Sequence, residues 1–111
     1  MDITITPYKH CDLVKAEGRL DSNTAPDLEK AFNSLMEGSR FKIVFDMSEI
    51  TYVSSKGWWV MIETLKKCKR YRRGELVLAG IRNEIRDSLN LVGMGKYFTS
   101  FDDATSGVGY F

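Results

Sequence analysis

Residues 46–59 of the chain read DMSEITYVSSKGWW, a stretch in which the end of a β-prone run leads to the start of a helix. Residues 41–46, FKIVFD, form an apolar run between turn signals, which is typical of a strand buried on both faces of a mixed sheet. A connection over residues 47–53 leads to the serine pair 54–55, which offers an N-cap for a helix over about residues 56–72. The sequence therefore predicts a buried strand, a connection, and a helix that starts at two serines.

The chain before this stretch predicts a β-hairpin and then a helix. Two short β-prone segments, residues 3–5 and 13–16, are separated by a turn near residues 8–11. Residues 18–21, GRLD, close the hairpin, and residues 21–24, DSNT, supply several N-cap candidates for the first helix. Apolar residues then recur three and four apart until a glycine, which predicts an amphipathic helix with one buried face.

The chain after this stretch continues the alternation of strands and helices. Residues 76–79, LVLA, predict another buried strand, and residues 97–98 predict a short last strand. A third helix is marked by four apolar residues: Ile85, Leu89, Leu91 and Val92. The segment 102–105 begins like a helix but runs into the glycine-containing segment 106–109. The order ββαβαβαβ predicts one α/β domain over residues 1–111, with a mixed, largely parallel sheet covered by helices.

The two adjacent tryptophans are predicted to differ in burial. At 100° per residue, one arc of the second helix carries Trp58, Met61, Ile62, Leu65 and Cys68. Trp59 lies about 100° from Trp58 around the helix, outside that arc, so we expect it to be at least partly exposed. An exposed tryptophan is a favoured interface anchor. The alternative is that Trp59 folds against the helix stem or the opening strands.

Composition narrows the function classes. The 111 residues are 43% hydrophobic with a formal net charge of +1, which fits one globular domain and argues against a general polyanion binder. No apolar run reaches the roughly 18–20 residues that span a bilayer, and the first ten residues lack the pattern of a signal peptide. We therefore expect a cytoplasmic protein with no membrane insertion.

Catalytic and metal-binding patterns are missing from the sequence. Cys11 and Cys68 have no CxxC or Cys/His clustering around them, so both are interpreted as packing residues, and no metal or other cofactor is expected. His10 is the only histidine, and nothing places it beside a nucleophilic serine. The segment 93–96, GMGK, ends a helix instead of opening one. We expect no enzymatic activity.

The segment 46–59, together with the GRLD turn upstream, resembles the STAS domain family, most closely its free-standing bacterial anti-sigma factor antagonists. The resemblance covers essentially the whole chain in element order and length. In that family a strand that ends Asp-Leu-Ser leads to the motif Asp-Ser-x-Gly, whose serine or threonine is phosphorylated by a partner kinase. Aligned on Gly57, the resemblance implies that Ser55 is the acceptor, Asp21 the turn aspartate and Asp46 the strand-end aspartate. This sequence departs from the family pattern at Ser54, which replaces an acidic residue, and at Lys56 and the tryptophan pair.

Two interpretations of Ser55 remain open. A serine before a helix caps unpaired N–H groups and stabilises by about 1 kcal/mol without any further function. A phosphate on Ser55 would instead meet the positive end of the helix dipole and the Lys56 charge, so the modified domain should stay folded. Inhibition would then occur at the partner, because added negative charge at the centre of a contact disfavours binding.

Asp21 and Asp46 also have simpler interpretations. Asp21 could act as an N-cap for the first helix. The resemblance adds that its turn lies beside the acceptor loop and contributes to the partner surface. Asp46 is expected to anchor backbone N–H groups of a loop, because no second carboxylate is paired with it at a spacing that suggests acid–base chemistry.

The strongest charge feature is the run 66–73, KKCKRYRR, which carries six basic residues in eight. Cations near a helix C-terminus interact favourably with the dipole, and a solvated helix end explains the run. Nucleic acid, an anionic membrane or an acidic protein could also be contacted, but the sequence has no second basic element and no stacking pattern of aromatics. We therefore expect no nucleic-acid partner.

The resemblance implies a regulator that binds a serine-kinase anti-sigma factor when unphosphorylated. The expected contacts are Asp21, the loop of Ser54, Ser55, Lys56 and Gly57, and Trp59 on the outer face of the helix. Phosphorylation at Ser55 would break the complex, a phosphatase would restore it, and ATP would belong to the kinase. The alternative is a STAS-like interaction module without the switch, serving as a subunit of a transporter or signalling assembly.

Overall fold

A computed structural model describes residues 1–72 and 74–111, without the side chains of residues 71 and 72. Its strands are β1 (Asp2–Pro7), β2 (Asp12–Leu20), β3 (Lys42–Val53), β4 (Glu75–Ala79) and β5 (Ser100–Phe101). Its helices are α1 (Ala25–Glu37), α2 (Ser55–Arg72), α3 (Asn83–Leu91) and α4 (Ala104–Tyr110), with a 3-10 turn at Gly95–Tyr97. The predicted order of strands and helices is confirmed, with α4 added at its end.

The five strands form one mixed sheet in the order β1-β2-β3-β4-β5. β1 pairs with β2 in antiparallel fashion, and every later pair is parallel. The predicted hairpin and the largely parallel sheet are therefore both confirmed. The carboxyl ends of β2, β3 and β4 consequently lie at one edge of the sheet, and the N-terminus of α2 follows directly from that edge.

The two faces of the sheet are covered unequally. On one face, apolar residues of α1, α2 and α3 pack on alternate residues of the central strands, among them Val14, Ile43, Phe45, Leu76 and Leu78. On the other face, a smaller cluster of Cys11, Val44, Val77 and Ala79 is covered by Val108 and Phe111 from the α4 region. Both cysteines are buried, and burial raises the pKa of the Cys68 thiol to about 12, as expected of packing residues.

β3 is longer than the sequence predicted, because residues 47–53 continue the strand instead of forming a connection. Two register shifts against β2 each insert an extra residue into β3, so that Lys15 and Glu17 face Asp46 and Glu49. The buried apolar residues Met47, Ile50 and Val53 are consequently three apart. Bulges of this kind break the period of two by which a strand is recognised in a sequence.

The C-terminal part also differs from the prediction. Residues 97–98 do not form the last strand; β5 begins at Ser100, and its pairing with β4 is short. The tail folds into α4 despite its glycines, with the Asp103 side chain accepting a hydrogen bond from the Ser106 N–H at 2.8 Å. A Cβ on Gly107 would lie 2.7 Å from Val44 Cγ1, so this glycine allows α4 to approach the sheet closely.

The third helix is buried over only part of its predicted apolar set. Ile85 and Leu89 are buried, as expected, but Leu91 is 88% exposed and Val92 39% exposed. α3 ends at Leu91, and Gly93 adopts a left-handed conformation with φ of +72°. The last two apolar residues of the pattern therefore lie beyond the helical face that meets the core.

Candidate functional site

The end of β2 and the start of α2 are held together at the carboxyl edge of the sheet. The Ser54 N–H donates to the Leu20 carbonyl at 2.8 Å. A Cβ on Gly57 would lie 2.8 Å from Leu20 Cγ and 3.0 Å from Val53 Cγ1, closer than side chains normally approach. Only glycine fits there without rearrangement. The end of β2 and the first turn of α2 are therefore in direct contact, and the turn after β2 lies beside the start of α2.

Ser54, and not Ser55, is the N-cap of α2. The Ser54 hydroxyl oxygen accepts a hydrogen bond from the Gly57 N–H at 3.2 Å, and its carbonyl accepts from the Trp58 N–H at 3.1 Å. The interpretation of Ser55 as the cap is therefore wrong. Ser55 is the first helical residue and its side chain is exposed. The cap at Ser54 and the exposed hydroxyl at Ser55 thus have separate roles.

Asp21 organises the turn before α1. Its Oδ1 accepts hydrogen bonds from the Asn23 N–H at 2.9 Å and the Thr24 N–H at 3.1 Å. The Asn23 and Thr24 hydrogen bonds lower the pKa of the Asp21 carboxyl, and partial desolvation opposes them. The N-cap of α1 is Thr24, so the prediction that Asp21 could occupy that position is wrong. Asp21 instead fixes the turn that directly follows Leu20, beside the start of α2.

Sequence reasoning missed an exposed pair next to Asp21. The Arg19 guanidinium lies 4.2 Å from the centroid of the Tyr52 ring, and Arg19 Nε lies 4.0 Å from Asp21 Oδ2. Arg19 and Tyr52 are direct neighbours in the β2–β3 register, and Tyr52 is 41% exposed. Only the strand register brings them together, and residues 47–53 were not predicted to be strand.

The two tryptophans divide between core and surface as predicted. Trp58 is fully buried, and its indole N–H donates to the Ser88 hydroxyl at 3.1 Å, which joins α2 to α3. Trp59 is 48% exposed, with Lys56 Nζ 4.9 Å from its ring centroid. Since residues four apart share a helix face, Trp59 lies on the same side of α2 as Ser55.

We name this region the α2 junction surface, formed by Arg19, Asp21, Tyr52, Ser54, Ser55, Lys56 and Trp59. Gly57, which was also predicted to contact a partner, is buried beneath this surface. The surface combines an ordered carboxylate, an exposed hydroxyl, two cations and two aromatic rings. The lone histidine, His10, lies at the opposite edge of the sheet in the β1–β2 turn. Within residues 1–72 and 74–111 no three His, Cys, Asp or Glu side chains are grouped to hold a metal ion. Such a combination can form ion pairs, hydrogen bonds and aromatic contacts with another molecule, and it exposes the Ser55 hydroxyl to solvent.

Asp46 lies apart from the α2 junction surface. It is buried within β3, opposite Ala79 of β4, and its Oδ1 accepts a hydrogen bond from the Ser48 N–H at 2.9 Å. The Ser48 carbonyl in turn accepts from Arg82 Nε at 3.0 Å. Asp46 anchors a backbone N–H as expected, but in the irregular part of a strand and not at a strand end.

The basic run lies at the far end of α2 from Ser55. Lys66, Lys67, Lys69 and Arg70 are exposed, and Lys66 Nζ lies 3.9 Å from Glu63 Oε1. Arg73 and the side chains of residues 71 and 72 lie outside the described residues. No helix in the described part of the chain is both long and apolar enough to cross a membrane.

Comparison with known proteins places the chain in a family. A model of the STAS domain matches residues 3–106, and the chain belongs to the STAS family. An anti-sigma factor antagonist from Mycobacterium paratuberculosis superposes with a TM-score of 0.87 at 20% identity, covering 98% of this chain and 92% of that one. At these identities the likeness shows a shared fold.

Two further structures show how widely this fold is used. The Bacillus cell fate determinant SpoIIAA, in its phosphorylated form, gives a TM-score of 0.75 at 11% identity, with 98% of each chain covered. A sulfate transporter family protein from Wolinella succinogenes gives 0.74 at 19% identity, covering 88% of this chain and 81% of that one. Anti-sigma factor antagonists of this family are in general not enzymes.

Proposed function

We propose that this protein is a partner-switching regulator of the anti-sigma factor antagonist type. Unphosphorylated, it binds a serine-kinase anti-sigma factor through the α2 junction surface, and phosphorylation at Ser55 releases that partner. A phosphatase restores the binding form, and the cycle takes place in the cytoplasm. Structural similarity to anti-sigma factor antagonists and the phosphorylated form of one relative support this proposal.

The observation that carries the proposal is the division of roles between two serines. The Ser54 side chain caps α2 by accepting a hydrogen bond from the Gly57 N–H, whereas the Ser55 hydroxyl has no capping role and is exposed. A modifying enzyme can therefore reach Ser55 without opening the helix. The rigid Leu20–Gly57 contact fixes where that hydroxyl lies relative to Asp21.

The modification itself is a phosphoryl transfer from ATP held by the kinase. The Ser55 hydroxyl oxygen forms a bond to the γ-phosphorus, and the bond from that phosphorus to the β–γ bridging oxygen breaks. ADP leaves, and the hydroxyl proton passes to a base on the kinase. The phosphatase reverses the modification by transferring the phosphoryl group to water.

The phosphate is compatible with the folded domain but not with the complex. It would lie at the positive end of the α2 dipole, next to the Lys56 ammonium group. In the complex, the phosphate would add about two negative charges beside Asp21 and Trp59 at the centre of the contact. These charges would be buried there without a partner of opposite charge. Release therefore follows from electrostatics at the interface and needs no unfolding.

A second candidate is a STAS interaction module that is not phosphorylated and serves as a subunit of a transporter or signalling assembly. The serine at position 54 and the bulky Trp59 favour it, because both depart from the phosphorylated family pattern. The fold similarity to a sulfate transporter family protein is compatible with it. Under this candidate the α2 junction surface binds one partner permanently.

The first experiment is intact-mass spectrometry of the protein purified from its native host with phosphatase inhibitors. Peptide mapping of residues 47–66 then locates any modification. The proposal predicts one added phosphoryl group on Ser55 under some growth conditions and co-purification of a serine kinase with the unmodified form. Ser55→Ala should abolish the modification and keep the kinase bound.

Ser54→Ala is the matched control, because it removes a neighbouring hydroxyl and leaves Ser55 in place. It should be modified at Ser55 like the wild type. An unmodified chain under all conditions, with the same proteins recovered by wild type and Ser55→Ala, would establish the constitutive module instead.

A further inference from the structure

A cavity of about 260 Å³ opens at the sheet edge opposite the α2 junction surface. Three separate segments line it: the β1–β2 turn with Lys9, His10 and Cys11, the continuous stretch from Ser39 to Lys42 between α1 and the start of β3, and Gly74 before β4. The nine residues of β2 separate this edge from the α2 junction surface by about 30 Å, at about 3.3 Å per residue.

The Arg40 side chain fixes the shape of the cavity. Its Nε donates to Asp12 Oδ2 at 2.6 Å, and its Nη2 donates to the Tyr8 carbonyl at 2.7 Å and the Cys11 carbonyl at 3.2 Å. These bonds tie the α1–β3 loop to the β1–β2 turn, which are 28 or more residues apart in sequence. The walls are therefore positioned before any ligand arrives.

The charge around the cavity is one-sided. Lys9 and Lys42 are exposed at its rim, and Arg40 forms part of its lining. None of the described residues that line it is acidic. The nearby carboxylate, Asp12, is 3% exposed and is already engaged by Arg40. The lining therefore contains two exposed lysines and no carboxylate to offset their charge.

Ser39, the lining residue with a hydroxyl group, has a backbone conformation that favours glycine. Its φ is +63°, and it is the only non-glycine residue with positive φ in the described part of the chain. The bonds from Ser39 N–H to the Met36 carbonyl and from Arg40 N–H to the Leu35 carbonyl close the end of α1, where glycine is usual. A serine at this position is conformationally costly, so the end of α1 does not explain why a serine and not a glycine lines the cavity.

We propose that this cavity binds a small, doubly charged oxyanion of the phosphate type. Lys9 and Lys42 supply the charge and Ser39 a hydroxyl donor, a combination suited to tetrahedral oxyanions. The site is independent of the partner-switching proposal, because it shares no residue with the α2 junction surface.

The test is an NMR titration of the 15N-labelled protein with inorganic phosphate, against sodium chloride at matched ionic strength. Saturable shifts are expected at residues 9–11 and 39–42, with the amides of residues 54–57 unchanged. The double variant Lys9→Ala/Lys42→Ala should weaken phosphate binding by about tenfold or more. Lys30→Ala, which removes an exposed lysine of α1, is the control and should bind as the wild type does.

Ser39→Gly provides a second, independent check. Because glycine tolerates positive φ, this variant should melt at a higher temperature and yet bind phosphate several-fold more weakly. Shifts that do not saturate, equal shifts with chloride, or full affinity in the double lysine variant would each overturn the proposal. The outcome is separable from the phosphorylation experiment, since Ser55→Ala leaves this cavity unaltered.

Discussion

Gly57 and Leu20 meet at the junction of α2 and β2 with no space for a Cβ between them. The Leu20 carbonyl, on the same residue, accepts the hydrogen bond from Ser54 N–H. One residue of β2 therefore holds both the backbone before α2 and its first turn. This double attachment makes the position of Ser55 a property of the sheet and not of a mobile loop.

Gly57→Ala is expected to destabilise the protein by about 1–3 kcal/mol, because the new methyl group would overlap Leu20 and Val53. Urea unfolding followed by circular dichroism measures the change. Gly109→Ala is the control, since a Cβ there meets nothing within 4 Å, and it should be neutral or stabilise by up to about 1 kcal/mol. Equal effects of the two variants would contradict the close contact at Gly57.

Ser54→Ala and Ser55→Ala should differ in stability. Loss of the cap at Ser54 is expected to cost about 1 kcal/mol in the free energy of unfolding. Ser55→Ala should change that free energy by less than about 0.5 kcal/mol, because its hydroxyl is exposed and does not cap the helix. Denaturant unfolding of both variants under the same conditions measures this difference. A larger loss of stability in Ser55→Ala than in Ser54→Ala would assign the cap to Ser55.

The stabilising effect of Asp21 should depend on pH. Its pKa in the folded state lies below the ordinary value of 3.8, so its contribution is present above that value and is lost as the pH falls through the folded pKa. Asp21→Asn should therefore melt below the wild type at about pH 6, and the gap should narrow towards about pH 3. Thermal melts at both pH values test this, and a gap that widens in acid would refute it.

Truncation of the two tryptophans should separate stability from recognition. Trp58→Ala removes a fully buried side chain and is expected to cost about 3–5 kcal/mol. Trp59→Ala should change stability by less than about 1 kcal/mol but reduce recovery of the kinase partner. Unfolding and co-purification are measured on both variants. Undiminished partner recovery with Trp59→Ala would remove it from the interface.

Much of the fold was predictable, because the first three helices and most strands show the period of their own secondary structure. The local pattern of apolar residues was enough to predict the strand at residues 41–46 and the buried arc of α2 that contains Trp58. The extension of β3 to Val53 could not be predicted from the sequence. Two bulges space the buried residues Met47, Ile50 and Val53 three apart, a spacing that is not typical of a strand. The glycine-containing α4 was also missed, because Gly107 is explained only by its distance to the sheet.

The candidate site was predictable only in part. The family resemblance implied that Asp21 lies close to the start of α2. The spacing between residues 21 and 54 in the sequence does not by itself imply this proximity. The Arg19–Tyr52 stack depends on a strand register that local sequence does not encode. The phosphate-type cavity depends on three segments that meet only after the strands have paired. Each of these features is a tertiary contact between distant residues.

The strand order has a consequence for how the chain acquires its structure. Because β1 to β5 lie side by side in the order of synthesis, each new strand can add to an edge that already exists. No strand has to be inserted between two that have already paired. The strands can therefore pair in chain order from the N-terminal hairpin, and α4, which covers the second face, is synthesised after all five strands.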